Sequence, residues 1–139
     1  MNCTYERKIN YYETDQMGVV HHSNYIRYLE EARCFFLDSY DMPFISFEDK
    51  GITIPVLAVN CEYKKHVTFG DTILINVFVK EYNSVRFTIG YNVTDKKTGE
   101  TVILAETKHC FTNKSLRPIN LKKYCSEFDK KFESLKIKI

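Results

Sequence analysis

Asp15 is the residue whose surroundings most favour chemistry. It lies in a short polar loop, Glu13 to Gly18, directly before the longest helical pattern of the sequence. The first N–H groups of a helix have no partner inside the helix and carry partial positive charge, so they favour a nearby carboxylate and can bind an oxyanion. A carboxylate beside such donors could attack a carbonyl carbon or activate a water molecule. Position alone would favour a loop or capping role for Asp15.

Other reactive side chains are less well placed. Adjacent residues point in different directions, and His21 and His22 lack acidic or cysteine partners at ligand spacing, so no metal site is predicted. Cys34 lies inside the helical pattern without the neighbours that activate a thiol. Glu30 and Arg33 are one helical turn apart and are predicted to pair and brace the helix. The sequence has no G-x-S-x-G elbow, G-x-G-x-x-G loop or P-loop.

The composition is that of an ordinary folded domain. The chain has 139 residues, of which 44% are hydrophobic and 14% aromatic, enough for one domain with its own core. A formal net charge of +2 is small for a nucleic-acid-binding chain. Five scattered cysteines without a C-x-x-C motif indicate reduced thiols. The sequence shows neither a signal peptide nor an apolar run of about 18 residues, so a cytoplasmic protein without a membrane span is expected.

Periodicity predicts one long helix and about five strands. Apolar residues recur every three or four positions over residues 24–40, with Ser23 or Asn24 as the expected N-cap and Pro43 closing the segment. Alternating patterns predict strands at residues 5–12, 52–63, 73–80, 85–94 and 101–112. Residues 121–139 are predicted to form an extra amphipathic helix. The order favours an α+β domain in which an antiparallel sheet wraps around the long helix.

Residues 11–33, YYETDQMGVVHHSNYIRYLEEAR, carry a specific pattern. An Asp is followed three residues later by Gly, then by two apolar residues, a His pair, and Asn-Tyr at the helix start. This segment resembles the active-site segment of the 4-hydroxybenzoyl-CoA thioesterase family and is most similar to its bacterial acyl-CoA thioesterase branch linked to the Tol-Pal system. Tyr63, the Phe69-Gly70-Asp71 turn and Ala105-Glu106 match later family segments, so the resemblance covers residues 3–113.

The resemblance implies a hotdog fold, with residues 1–139 as a single thioesterase domain. Such domains form homodimers with one continuous sheet, often paired into homotetramers, and their sites lie at the dimer interface. The implied reaction is hydrolysis of an acyl-CoA to a carboxylic acid and coenzyme A, with no cofactor beyond the coenzyme A of the substrate. Asp15 would be the nucleophile or the general base, and both roles stay open. The main-chain N–H of His22, seven residues after Asp15, would be the oxyanion donor.

Substrate-binding residues are expected around Asp15, where Gly18 would let the main chain approach the acyl group closely. The candidates for this pocket are Met17, Gly18, Val19, Tyr25, Phe47 and Phe69. Because the sequence has no phosphate-binding loop, scattered cations are expected to meet the phosphates of coenzyme A, namely Lys64, Lys65 and Arg86. Two alternatives stay open: a non-catalytic hotdog protein that binds acyl ligands, and a hotdog hydratase or dehydratase, whose acid–base motif the sequence lacks.

Overall fold

The computed structural model describes residues 3–137, and in this range the chain forms five strands and four helices. The strands are β1 (Cys3–Lys8), β2 (Val56–Tyr63), β3 (Thr72–Tyr82), β4 (Arg86–Asp95) and β5 (Thr101–Cys110). The helices are α1 (His22–Ser39), α2 (Phe44–Asp49), α3 (Leu121–Tyr124) and α4 (Ser126–Leu135). A short 3-10 turn, Tyr11–Glu13, lies between β1 and α1.

The five strands form one antiparallel sheet in the order β1-β3-β4-β5-β2. The apolar residues of β3 alternate as predicted, and they put one face of the strand into the core: Ile73, Ile75, Val77 and Val79. The turn before β3 contains Gly70 with φ +89°, a conformation that favours glycine. The predicted antiparallel meander of β3, β4 and β5 is therefore confirmed.

Helix α1 buries its apolar stripe against this sheet. Tyr25, Tyr28, Leu29, Ala32 and Phe36 are each at most 4% exposed, and they share one core cluster with the inner face of β3. Full burial of a large apolar side chain contributes roughly 1.5–3 kcal/mol, so this stripe fixes the helix firmly. The residues at its two ends are thereby held in place relative to the sheet.

The start of α1 differs from the predicted one. His21 is the N-cap, because its ring nitrogen accepts a hydrogen bond from the Ser23 N–H at 3.3 Å. Ser23 and Asn24, the two predicted caps, lie inside the helix. The side chain of Asn24 turns back to the carbonyl of Glu13 instead. The helix therefore begins two residues earlier than its apolar pattern, and His22 is its first residue.

The structure differs from the predicted elements in three segments before β2. The first strand ends at Lys8 rather than at Tyr12, and Tyr11 and Tyr12 lie in the exposed 3-10 turn. Helix α2 was not predicted, and it begins directly after Pro43, which is its N-cap. The strand predicted from Ile52 begins at Val56, after a proline that has no N–H to donate to the sheet.

The C-terminal helix is divided in two at Cys125, whose extended conformation (φ −155°) separates α3 from α4. Phe128 and Phe132 of the predicted apolar face are buried, whereas Tyr124 is 53% exposed. The predicted helix continues to residues 138 and 139, which lie outside the described residues. A buried Asp129 fastens α4 to the end of β3, since its carboxylate accepts a hydrogen bond from the hydroxyl of Tyr82 at 2.6 Å.

Strand β2 forms one edge of the sheet and is exposed along nearly its whole length. Val56, Leu57, Val59 and Tyr63 are each more than 40% exposed. An apolar edge strand with unpaired main-chain groups is a hazard that proteins usually cover. Among residues 3–137, no helix combines the length and the apolar character needed to cross a membrane.

Candidate active site

Asp15 opens a tight hairpin turn. Its main-chain N–H donates to the carbonyl of Val19 at 2.8 Å, and its carbonyl accepts from the N–H of Gly18 at 2.9 Å. Gly18 has φ +80°, which this turn requires and which glycine adopts at little cost. A bridge between Thr14 and Val20 closes the hairpin. The loop that carries Asp15 is therefore an ordered turn of defined geometry.

The carboxylate of Asp15 is only partly engaged by this turn. One oxygen, Oδ1, accepts a hydrogen bond from the N–H of Met17 at 2.8 Å, which is the usual Asx-turn contact of an aspartate. Within the described part of the chain, the second oxygen receives no hydrogen bond. The residue is half-buried, so this second oxygen is available to a ligand or a water molecule.

The first amide of α1 is also available. His22 is the first helical residue, and its N–H has no acceptor among residues 3–137. The neighbouring amides are engaged, since His21 N–H donates to Glu13 O at 2.9 Å and Ser23 N–H donates to the ring of His21. The oxyanion donor predicted from the sequence is therefore at a free position of the helix start. The imidazole of His22 is exposed and stacks on that of His21, with 4.4 Å between the two ring centres.

A groove of about 280 Å³ begins at this helix start. Val20, His22, Tyr25 and Tyr63 contribute to its lining, together with residues 64–66. The hydroxyl of Tyr25 is buried in this region near the main chain of Val67, and burial raises the pKa of Tyr25 to about 12. A buried hydroxyl beside a groove is a group to which a ligand could bond.

The predicted substrate-binding residues divide into two sets. Met17 and Gly18 are exposed at the tip of the Asp15 hairpin, and Val19 is half-buried where the hairpin bridges to Thr68. Tyr25 lines the groove at the helix start. Val20 connects the two places, because it belongs to the hairpin and lines the groove.

The aromatic candidates for the acyl pocket also separate. Phe69 is 58% exposed and packs edge-on against Tyr11 at 5.6 Å, beside the hairpin. Phe47 is 1% exposed and packs against Phe128 and Phe111 in the core, so its expected place in the pocket is wrong. The reason is α2, which turns the Phe47 side chain inward under the C-terminal helices.

The three cations expected to meet coenzyme A lie in two places. Lys64 and Lys65 line the groove at the helix start. Lys65 already pairs with Glu100 at 3.1 Å, which raises the pKa of Lys65. Arg86 lies at the beginning of β4, in a separate groove that also contains Leu57 of the edge strand β2. Within one chain these cations do not form a common site.

The charged residues in the middle of the motif have other partners than the predicted Glu30–Arg33 pair. Arg33 donates to the hydroxyl of Tyr91 at 3.1 Å, and the predicted Glu30–Arg33 ion pair is absent from the described residues. Glu31 accepts from Arg7 at 2.8 Å, and Arg7 also binds Glu13. No local pattern predicts this cluster, because Arg7 and Glu31 are far apart in the chain and meet only when β1 lies beside α1.

Comparison with known proteins places the chain in a family. Residues 9–132 match the family described as the Thioesterase-like superfamily. An Aquifex aeolicus protein with the provisional name of an esterase is 42% identical over 110 residues, or 79% of this chain and 84% of the relative. A Bacillus subtilis protein provisionally named as an acyl-CoA thioesterase is 31% identical over 132 residues, or 94% of this chain and 95% of the relative.

A solved structure gives the same result. The DHNA-CoA thioesterase from Staphylococcus aureus matches with a TM-score of 0.91 and 26% sequence identity, covering 96% of this chain and 89% of that protein. The predicted α+β hotdog fold is thereby confirmed, and the predicted enzyme class, a thioester hydrolase, is confirmed at the level of the family. The chain belongs to the thioesterase-like superfamily.

Proposed function

We propose that this protein hydrolyses acyl-CoA thioesters to a carboxylic acid and coenzyme A, with Asp15 and the His22 amide as its catalytic groups. The observation that carries the proposal is the presence of two available groups on the short segment that leads into α1. One is the second carboxylate oxygen of Asp15, and the other is the unpartnered N–H of His22. Thioester hydrolysis needs an attacking group and an oxyanion donor, and these two supply both.

Asp15 could act as a nucleophile or as a general base, and both routes need the same oxyanion donor. As a nucleophile, its carboxylate would attack the thioester carbon, expel the thiolate of coenzyme A and form a mixed anhydride that water then cleaves. As a general base, it would take a proton from a water molecule that attacks the same carbon. In both routes negative charge develops on the carbonyl oxygen, and the His22 N–H would bind it. No cofactor other than the coenzyme A of the substrate takes part.

The names of the relatives support a coenzyme A thioester as substrate. The Bacillus subtilis and Staphylococcus aureus relatives are named for acyl-CoA and DHNA-CoA. The buried hydroxyl of Tyr25, which lines the groove, supports an acyl group that carries a hydrogen-bonding atom. The motif at residues 11–33 supports a place in the 4-hydroxybenzoyl-CoA thioesterase family, near its Tol-Pal-associated branch. A cytoplasmic location, where acyl-CoA is found, stays a prediction.

Release of free thiol from a panel of acyl-CoA substrates tests the proposal. The panel contains short-chain, long-chain and aromatic acyl groups, the last with and without a ring hydroxyl. Asp15→Asn is expected to lower kcat/KM about 10³-fold, because the amide oxygen can still accept from Met17 N–H but can neither attack nor take a proton. Asp49→Asn, on the exposed surface of α2, is the matched control and is expected to keep full activity.

Three outcomes would overturn this assignment. Equal activity of the wild type and Asp15→Asn would remove Asp15 from the reaction. Tight acyl-CoA binding without release of thiol by the wild type would favour the non-catalytic acyl-binding protein, and hydration of crotonyl-CoA would favour a hydratase.

We further propose that two copies pair along β2 and that each active site uses both. Pairing of an edge strand with its own copy about a twofold axis is antiparallel, so the Leu57 end of one β2 lies beside the Tyr63 end of the other. Arg86 shares a groove with Leu57, whereas Lys64 and Lys65 share one with Tyr63. The pairing would bring Arg86 of the partner subunit towards Lys64 and Lys65 and assemble the cation set expected for coenzyme A.

Sedimentation equilibrium tests this pairing. The wild type is expected to be a dimer or a tetramer, and Val59→Glu, in the middle of the exposed strand, is expected to give a monomer with a raised KM for acyl-CoA. Ile45→Glu, at a 63% exposed position of α2, is the control and is expected to change neither property. A monomeric wild type with full activity would contradict the proposal.

A further inference from the structure

A largely buried ionic cluster joins β1, the segment before Asp15 and helix α1. The guanidinium of Arg7 reaches from β1 to Glu13 before the hairpin and to Glu31 on α1, with distances of 2.9 Å to Glu13 Oε1 and 2.8 Å to Glu31 Oε1. The side chains of Arg7 and Glu13 are 15% and 6% exposed. Arg7 also lies over the ring of Tyr28, 4.7 Å from its centre. One arginine thus links the strand, the segment before Asp15 and the helix.

The charged state of Glu13 is set by this contact. Burial alone would raise the pKa of Glu13, but hydrogen bonds from Arg7 and from the N–H of Asn10 together hold it below its usual range. Glu13 is therefore ionised at neutral pH. A buried ion pair usually adds little net stability over apolar side chains of the same size, because desolvation offsets the attraction. What such a forked contact does supply is a fixed geometry.

The main-chain carbonyl of Glu13 connects this ionic cluster to the start of α1 in the candidate active site. It accepts two hydrogen bonds from the start of α1, one from the N–H of His21 at 2.9 Å and one from the side-chain amide of Asn24 at 2.8 Å. Asp15 is two residues after Glu13, and His22 directly follows His21. One carbonyl therefore connects the segment that carries the carboxylate with the segment that carries the oxyanion donor.

We propose that Arg7, Glu13 and Asn24 are positioning residues that fix Asp15 relative to the His22 amide. Arg7 holds Glu13 against the sheet and the helix, and Asn24 ties the helix start to the Glu13 carbonyl. None of the three is expected to touch the reacting atoms. This inference rests on the proposed function, because the two groups that it aligns are the proposed catalytic groups. A displacement of about 1 Å between such groups can cost about 100-fold in rate.

Asn24→Ala is the most direct test. It removes the side-chain bond to Glu13 but keeps the main-chain bond from Asn24 N–H to His21 O, and alanine suits a helix well. We expect kcat for acyl-CoA to fall about 10- to 100-fold while KM changes less than about twofold. Asn24→Asp, which keeps the shape but has no N–H to donate, is expected to behave in the same way. Arg7→Lys, which keeps the charge but loses the fork, is expected to lower kcat as well.

Tyr82→Phe is the control for a purely structural effect. It also removes one buried hydrogen bond, the one to Asp129, but at the junction of β3 and α4. We expect a melting temperature at least as low as that of Asn24→Ala, with kcat unchanged. The inference is overturned if kcat of Asn24→Ala and Arg7→Lys stays within about twofold of the wild type, or if Tyr82→Phe loses as much activity as they do.

A second measurement tests the positioning of the helix start without following the reaction. Hydrogen exchange of the His21 amide reports how tightly the helix start is held to Glu13, and it is expected to be at least about 10-fold faster in Asn24→Ala. Unchanged exchange overturns the positioning role even if activity falls. A wild-type protein that releases no thiol overturns the proposed function, and the exchange rates then still decide whether Asn24 and Glu13 hold the helix start.

Discussion

The two ends of helix α1 differ in how their main-chain groups are hydrogen-bonded. At its C-terminal end, Asp41 adopts a left-handed conformation (φ +56°), and the N–H groups of Asp41 and Met42 donate to the carbonyls of Asp38 and Leu37. The ammonium of Lys131 adds a bond to the carbonyl of Tyr40 at 3.0 Å. At its N-terminal end, the N–H of His22 has no acceptor in the described chain. One end is closed by the protein, and the other is left open.

The difference shows how a site can be recognised from hydrogen bonding. Every helix leaves several main-chain groups unpaired at each end, and most are satisfied by caps, side chains or water. Here the closed end carries a Schellman-type arrangement and a cation, both of which suit a helix C-terminus. The open end lines a groove, and the hairpin that carries the partly engaged Asp15 carboxylate leads to this groove through Val20. An unpartnered amide beside a groove indicates a place for a ligand, whereas a Schellman-type turn and a bound cation indicate a structural end.

The largest expected effect comes from removing the N–H at the open end. His22→Pro deletes this donor at the first helical position, where proline is favoured, and His21 already has the extended conformation (φ −63°, ψ 132°) that precedes a proline. We expect kcat to fall about 10²- to 10³-fold, the usual value of one oxyanion donor, with the melting temperature nearly unchanged. Steady-state kinetics and thermal unfolding measure the two quantities.

His22→Ala is the matched control for this change. It also removes the imidazole and its stacking on His21, but it keeps the main-chain N–H. We expect it to retain activity close to the wild type. If alanine and proline lower kcat equally, the imidazole rather than the amide is the important group.

The second-largest effect is expected from a chain of hydrogen bonds that begins at Arg33, in the middle of α1. Hydrogen bonds link Arg33 to Tyr91, Tyr91 to Thr107, and Thr107 to the ring nitrogen Nε2 of His109. Arg33 can only donate, so each hydroxyl can donate to the next group and Nε2 of a neutral His109 can accept at the end. Burial together with the charge of Arg33 lowers the pKa of His109 from 6.5 to about 4, which favours the neutral ring near pH 7. The chain connects the middle of α1 to β4 and β5.

The free energy of unfolding is expected to depend on the protonation of His109. Because the pKa is lower in the folded state, the unfolded state takes up the proton first as the pH falls. The contribution of His109 is complete above pH 6.5 and is lost between pH 6.5 and about 4, by up to about 3 kcal/mol. Urea unfolding at several pH values measures this loss, and His109→Gln is expected to remove that part of the pH dependence. The same pH dependence in both proteins would contradict a neutral, buried His109.

The smallest effect is expected at the closed end. Lys131→Met keeps most of the side-chain stem but removes the hydrogen bond to Tyr40 O and the charge near the helix C-terminus. We expect a loss of about 1 kcal/mol, seen as a fall of a few degrees in melting temperature, with kcat unchanged. A clear fall in kcat would show that the closed end also influences the reaction, and the contrast between the two ends would then be weaker.

Local patterns predicted the elements that are longest and most regular. The apolar stripe of α1 and the alternation in β3 and β4 are set by side chains close in sequence, so periodicity was sufficient to find them. The pattern predicts the loop at Asp15, but the catalytic role of Asp15 is predicted only through the resemblance of residues 11–33 to a known active-site segment. Periodicity does not predict helix α2, because six residues are too few for a periodic signal. The core position of Phe47 depends on its contact with Phe128, which is distant in the sequence.

Contacts between distant segments could not be predicted in this way. The link from Arg7 to Glu31 depends on the position of β1 beside α1, and the link from Arg33 to Tyr91 depends on how α1 crosses β4. For the same reason Arg33 was wrongly paired with Glu30, its neighbour on the helix. Local sequence reports which partners are near along the chain, but a buried cation is satisfied by whichever acceptor the tertiary fold places within reach.

The central claim is that the amide of His22 binds the carbonyl oxygen of a thioester. Titration of ¹⁵N-labelled Asp15→Asn with an acyl-CoA, followed by NMR, tests it directly, because this variant is expected to bind substrate without cleaving it. The account predicts that the His22 amide signal shifts with saturation, while the Met42 amide at the closed end of α1 stays in place. Saturable binding that leaves the His22 amide signal unmoved would contradict the account.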